Sequence, residues 1–152
     1  MEVFRLSREQ FAKPLSGKGA ALVGARWNSI GFEMLYTAQN RSLAMAEVAV
    51  HFTLATIPTD YVMTTIFIPS SIAIKTIATS KLPLGWNAFP HLIQTQKIGD
   101  SFILKNEFGI LKVPSAVTKG DFNFLINPNY KGFKFIKIKK IEKFPFDNRI
   151  FQ

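Results

Sequence analysis

Arg41-Ser42-Leu43-Ala44-Met45-Ala46-Glu47-Val48-Ala49-Val50-His51-Phe52 is the stretch on which the reading of this chain turns. It is apolar on nearly every side, so as a helix over Ser42–Leu54 it is expected to be buried most of the way round, with Ser42 as its N-cap. Glu47 stands in the middle. An ionised carboxylate in such a helix costs roughly several kcal/mol unless it is paired. Either another side chain must pair with it or a ligand must use it. Upstream lie Arg26-Trp27-Asn28 and Tyr36, the tyrosine 10 residues after Arg26 and 11 before Glu47. Far downstream comes Val113-Pro114-Ser115-Ala116-Val117. An Arg, a Tyr, a Glu and a Ser, each set in apolar sequence, suggest a polar pocket.

Each residue also has an ordinary structural reading. Arg26 offers a planar fork for a phosphate or carboxylate, or forms an internal ion pair with Glu47, and the two are compatible. Tyr36 lies in an apolar strand, where aromatics usually belong to the core. Ser115 has no Gly-x-Ser-x-Gly elbow around it, so a ligand hydrogen bond or a turn suits it better than a nucleophile's role. His51 follows Glu47 by four residues and is expected on the same helical face. Glu-x-x-x-His is not a zinc pattern and His91 sits in a loop, so no metal site is expected. Asn127-Pro128 reads as a turn, and Trp27 and Trp86 as core or pocket wall. Gly17-Lys18-Gly19 lacks the sequence of a phosphate-binding loop.

Around this cluster the pattern is mixed. Strands are expected over Phe32–Ala38, Tyr61–Ile68, Ile72–Ile77, Leu111–Val113, Phe122–Ile126 and Phe133–Ile141, the last with a bulge at Phe135-Ile136. A second helix is expected over Thr95–Asn106, ended by Gly109 and weakened by Gly99. Helices and strands without regular βαβ alternation indicate an α+β fold. At 152 residues, with 47% hydrophobic residues and 15 Phe, the chain is sized for a single domain with its own core. No cysteine is present, which removes disulfides and thiolate chemistry. The longest charge-free run, residues 82–96, contains Pro83, Gly85 and Pro90 and does not suit a membrane span. A soluble protein is expected.

The segments Gly24-Ala25-Arg26-Trp27-Asn28, Gly31, Tyr36-Thr37-Ala38 and Ser42-Leu43-Ala44 leading to Glu47 and His51 resemble the opening of the RES domain, a family named after its Arg, Glu and Ser. Leu82-Pro83-Leu84-Gly85-Trp86, Thr95-Gln96-Lys97-Ile98-Gly99-Asp100, Leu111-Lys112-Val113-Pro114-Ser115-Ala116-Val117, Asn123, Asn127-Pro128 and Phe146-Asp147-Asn148-Arg149 continue the resemblance in order. It departs from a frequent family form at Phe102, where Trp is common, a change expected to affect packing. The resemblance implies one RES domain over residues 1–152, with a split mixed β-core and flanking helices like the catalytic fold of ADP-ribosyltransferases. It implies a cytoplasmic toxin that cleaves the nicotinamide–ribose bond of NAD by hydrolysis or phosphorolysis, or transfers its ADP-ribose. NAD is then substrate, with no further cofactor. Arg26, Glu47, Tyr36 and Ser115 become catalytic candidates, and Trp27, Asn28, His51 and Asn127 substrate-binding ones. The implied partner is a helix-turn-helix antitoxin of the Xre type that covers the active site, carries the DNA binding and assembles with the toxin, in a complex of unspecified stoichiometry that extends to higher oligomers.

Charge supplies the alternative. The net charge is +9, and six lysines between Lys131 and Lys143 face only Glu142. Such a patch suits nucleic acid, with Phe133 and Phe135 as stacking platforms. It also suits the solvated face of an edge strand, whose lysines block strand-to-strand aggregation, and this second reading is preferred.

Overall fold

Strand β1 (Glu2–Arg8) sends Val3 to one side of a sheet and Phe4 and Leu6 to the other, and this alternation organises the fold. The computed structural model describes residues 1–151. β1 pairs antiparallel with β3 (Tyr61–Phe67) from Glu2↔Phe67 to Arg8↔Tyr61, and β7 (Lys137–Lys143) adds to the outer side of β3. β2 (Leu35–Ala38), β6 (Phe122–Ile126) and β5 (Ile110–Pro114) form a second antiparallel group, extended by β4 (Ile74–Thr76) parallel to β5. The order is β4-β5-β6-β2-β1-β3-β7. The two groups join through the single register pair Phe4↔Ala38. This is an α+β fold with a mixed, split sheet.

Both faces of the sheet are covered. On one, Val3, Ile66, Leu35, Ile110, Phe124 and Ile126 form a shared core that binds the two strand groups together. On the other, helix α3 (Ile93–Lys105) lays Phe102 and Ile103, with Trp27 and Met34, over Leu111, Val113 and Leu125. Helix α2 (Arg41–Ala49) lays Leu43 and Ala44 over Leu6, Ala38 and Met63. Each large side chain so buried contributes about 1.5–3 kcal/mol. Phe102 sits in the core, so its difference from Trp bears on packing. The short helix α1 (Lys18–Val23) precedes the turn that holds Arg26.

Several expectations need correction. The cap of α2 is Asn40, whose side-chain oxygen accepts from the Leu43 N–H at 2.7 Å, and not Ser42. The helix ends at Ala49, and only Leu43 and Ala44 are buried, while Val50 is 59% and Leu54 53% exposed. A two-and-a-half-turn helix lying on a sheet buries one stripe, so Glu47 is half-buried rather than enclosed. Phe133–Phe135 forms a 3₁₀ turn, and the break at Phe135-Ile136 marks its junction with β7. The bulge lies further on, where Lys139 has no partner between Thr65↔Lys140 and Ile66↔Ile138.

β7 is an edge strand, and Lys137, Lys139, Lys140 and Lys143 are exposed along it, as the solvated-face reading expects. Lys139 pairs with Glu2, and Lys140 and Arg41 both pair with Glu142. α3 runs past Gly99 and ends at Asn106, which takes a left-handed φ of 51°, so Gly109 is not its stop. No helix among the described residues is long and apolar enough to cross a membrane.

Candidate active site

The α2 helix, the end of β5 and the start of β6 converge on Glu47. Ser115, the first residue after β5, donates its hydroxyl to Glu47 Oε1 at 2.8 Å, and Asn123 Nδ2 on β6 donates to the same oxygen at 2.6 Å. Glu47 Oε2 has no hydrogen-bond partner among the described residues. Ser115 also accepts from the backbone N–H groups of Val117 and Thr118, each at 3.0 Å, which closes the turn after the strand. Its one proton is therefore committed to Glu47. Gln39 fastens the returning chain by donating to Asp121 Oδ1 at 2.6 Å and accepting from the Phe122 N–H at 3.0 Å.

Arg26 lies in a tight turn, Ala25–Asn28, with Ala25 N–H bonded to the Asn28 carbonyl at 2.9 Å. Gln96 on α3 holds this turn from outside through the carbonyls of Ala25 and Asn28 at 3.0 and 3.1 Å. Arg26 Nη1 donates to the carbonyls of Trp86 at 2.6 Å and Ala88 at 2.9 Å, pinning the Leu82–Pro90 loop. Its Nε and Nη2 have no hydrogen-bond partner among the described residues, which leaves one side of the fork for a ligand oxygen. Partial burial lowers the Arg26 pKa, and the negative charge of Glu47 opposes that shift. The internal ion pair with Glu47 is not formed as a contact among the described residues.

Tyr36 supports the arginine turn from below. Its hydroxyl donates to Asn28 Oδ1 at 2.7 Å and accepts from the Trp27 N–H at 3.1 Å. Burial raises the phenol well above its ordinary value. The unfolded chain loses that proton near the ordinary tyrosine value of 10.0, before the folded protein does. This group therefore leaves stability unchanged below pH 10 and lowers it as pH rises beyond, by up to about 1.4 kcal/mol per unit. Denaturant unfolding between pH 9 and 12 should show this decline in the parent and a flatter one in Tyr36→Phe.

The substrate-binding candidates fare differently. Asn28 is fully buried, and its Nδ2 serves the carbonyls of Ala20, Ser29 and Phe32. Trp27 is 2% exposed and packs in the core, with Trp86 at 6.2 Å between ring centroids. Both build the turn and present no free surface. His51 lies beyond the end of α2 in an exposed turn, its N–H bonded to the Val48 carbonyl at 3.1 Å, so it does not continue the helical face of Glu47. Asn127 is buried four residues along from Asn123, just past the other end of β6, roughly 13 Å away. There it donates to Asn106 Oδ1 and accepts from the Asn129 N–H, both at 2.9 Å. It fastens the end of α3 and does not approach Glu47. Sequence reasoning missed Asn123 as a site residue and found no task for Gln39. No cluster of metal-ligating side chains exists among the described residues.

Lys112 projects to the opposite face of the sheet, with its Nζ 4.2 Å from the centroid of the Phe122 ring. Two surface hollows of about 580 and 540 Å³ are lined by neither Glu47 nor Arg26. The candidate site comprises Glu47 on α2, held by Ser115 and Asn123, and Arg26, anchored to the segment 82–90.

Residues 2–147 match the RES domain as a family. A protein of Sphingobium sp. (strain YBL2) described as a Prs ADP-ribosylating toxin is 34% identical over 146 residues, covering 95% of this chain and 91% of that one. Toxin Res of Photorhabdus laumondii subsp. laumondii is 35% identical over 153 residues, covering 99% and 97%. The chain belongs to the RES-domain toxin family. Among solved structures, the M. tuberculosis MbcT–MbcA toxin–antitoxin complex contains a chain with the same fold, at a TM-score of 0.77 and 18% identity, covering 99% of this chain and 86% of that one.

Proposed function

We propose that this protein is the toxin of a toxin–antitoxin pair and that it breaks the nicotinamide–ribose bond of NAD. The observation that carries the reading is the carboxylate of Glu47, held at Oε1 by Ser115 and Asn123 with Oε2 left open, and close enough for its charge to act on a half-open Arg26 fork. In the reaction the C1′–N bond breaks, its electron pair stays on the ring nitrogen, and nicotinamide leaves neutral. The ribose becomes oxocarbenium-like. An acceptor oxygen then bonds to C1′ and gives up its proton. A fixed carboxylate beside the ribose stabilises the developing positive charge or holds the ribose hydroxyls and orients the attacking oxygen. Arg26 Nε and Nη2 clamp a diphosphate oxygen and so position the reacting carbon. Tyr36, its hydroxyl committed to Asn28 and Trp27, holds the arginine turn in place for that clamp, and Ser115 lies near the nicotinamide end. The acceptor is water, phosphate or a protein, and the ADP-ribosylating relative makes the last an arm worth testing.

Arg26→Lys tests the clamp. A point charge cannot reproduce the fork or hold two carbonyls while binding an anion. Losing a charge-assisted hydrogen bond worth about 1.5–3 kcal/mol lowers kcat/KM by roughly 10- to 100-fold. Steady-state nicotinamide release at varied NAD measures this. An unchanged kcat/KM would remove Arg26 from the site.

The partner on this reading is a small helix-turn-helix antitoxin of the Xre type that blocks access to Arg26 and Glu47. Residues 77–152 carry twelve Lys or Arg against five acids. Lys13, Lys134 and Lys137 rim a shallow hollow floored by Leu15, Phe133 and Ile138. Such a surface favours an acidic segment on the partner, because complementary charge speeds association and fixes register. NAD turnover is expected to fall in the purified complex, and undiminished turnover would contradict the blocking role. DNA binding on this reading belongs to the partner. The nucleic-acid alternative loses one of its two stacking platforms, since Phe133 packs against the core and only Phe135 is exposed.

A further inference from the structure

We infer that Asn123 is a positioning residue for Glu47: with Ser115 it fixes the carboxylate so that Oε2 is the atom offered to the ligand. The terminal torsion of a glutamate is broad and roughly two-fold, so an unrestrained carboxylate would present either oxygen in many orientations. Here two donors meet on one oxygen, at 2.8 Å from Ser115 Oγ and 2.6 Å from Asn123 Nδ2. Two bonds to the same atom, one from β6 and one from the turn after β5, leave that torsion little freedom. The amide must present its nitrogen, because its oxygen would repel the carboxylate.

Asn123 is itself rigidly placed. Its backbone lies between Ala38 on β2 and Val113 on β5, so pairing on both sides fixes its Cβ. The Gln39 side chain locks the two residues before it. Ser115 is less clean as a handle, since its oxygen also closes the turn to Val117 and Thr118. Removing Asn123 therefore frees that torsion, which a residue with only a packing role would not do.

The effect on turnover rests on the proposed NAD chemistry, whereas the effect on side-chain mobility does not. The test uses the full chain labelled with ¹³C-glutamate, with Glu47→Gln to assign the Glu47 side-chain resonances. In Asn123→Ala the Glu47 ¹³Cγ methylene is expected to gain picosecond–nanosecond mobility, read as a lower order parameter. Turnover is expected to fall roughly tenfold in kcat with little change in KM. Asn123→Asp keeps the side chain's shape but replaces the donor by a second carboxylate, and the same gain in mobility is expected. Unchanged Glu47 relaxation in folded Asn123→Ala, and in Asn123→Asp should the alanine variant unfold, would overturn the inference. A gain in mobility while the parent releases no nicotinamide would uphold the positioning role and count against the NAD reading alone.

Discussion

Glu47→Gln is expected to slow nicotinamide release from NAD by about 10²–10³-fold, the usual consequence of losing one well-placed electrostatic group, while the unfolding temperature stays nearly unchanged. The geometry separates the two effects. Ser115 and Asn123 both donate to Oε1, and the carbonyl oxygen of a glutamine can accept both bonds from the same position. The half-buried setting of the residue also means that no deeply buried charge is being relieved. What disappears is the negative charge at the second oxygen, where the amide nitrogen would now point toward a ribose that becomes positive. Comparing turnover with thermal unfolding on the same preparation checks this. A variant that retains the parent rate would mean that the carboxylate has no part in the chemistry.

Gly99→Ala is expected to destabilise the protein by about 3 kcal/mol or more, at the upper end of overpacking effects, and to lower its melting temperature by roughly 6–12 °C. In an exposed helix interior the same change would stabilise by about 1 kcal/mol. Here a Cβ on Gly99 would lie 1.6 Å from the Trp27 carbonyl oxygen and 2.7 Å from its carbon. Those atoms are backbone and belong to the turn that carries Arg26, so they cannot swing aside as a flexible side chain would. Either α3 lifts from the sheet or the arginine turn moves. The account therefore expects loss of activity along with loss of stability. Calorimetry on Gly99→Ala checks the first. An alanine that left the melting temperature where it was would show that α3 and the turn are not in such close contact.

Gly99 also shows what could be read from the chain alone. On propensity it weakens a helix, and only the approach of a second backbone explains its presence in the middle of one. Such long-range contacts leave no local trace. The α+β class, most strand positions and the need of Glu47 for a partner were legible, because hydrophobic alternation and a carboxylate in an apolar helix are local signals; that Ser115 and not Arg26 makes the contact was not. The degree of burial of α2 was not legible. An apolar stretch does not reveal that only its Leu43 and Ala44 stripe meets the sheet and that Val50 faces outward. His51 was placed by extending the helical period past Ala49, where the helix has ended. Asn127 and Asn123 both belong to the matched motifs, yet they lie toward opposite ends of one strand, and sequence spacing does not say which end faces α2. The Tyr36–Asn28 bond, which turns two presumed ligand contacts into the scaffold of the arginine turn, likewise depends on tertiary placement.

The most direct measurement is incubation of the purified full chain with NAD, in parallel in buffer, with added inorganic phosphate and with cell extract as a source of protein acceptors. Nicotinamide and remaining NAD are then quantified by chromatography. The account predicts NAD loss matched mole for mole by nicotinamide in at least one arm, and almost none in that arm with Glu47→Gln. Intact NAD in all three arms, with the chain folded, would contradict it.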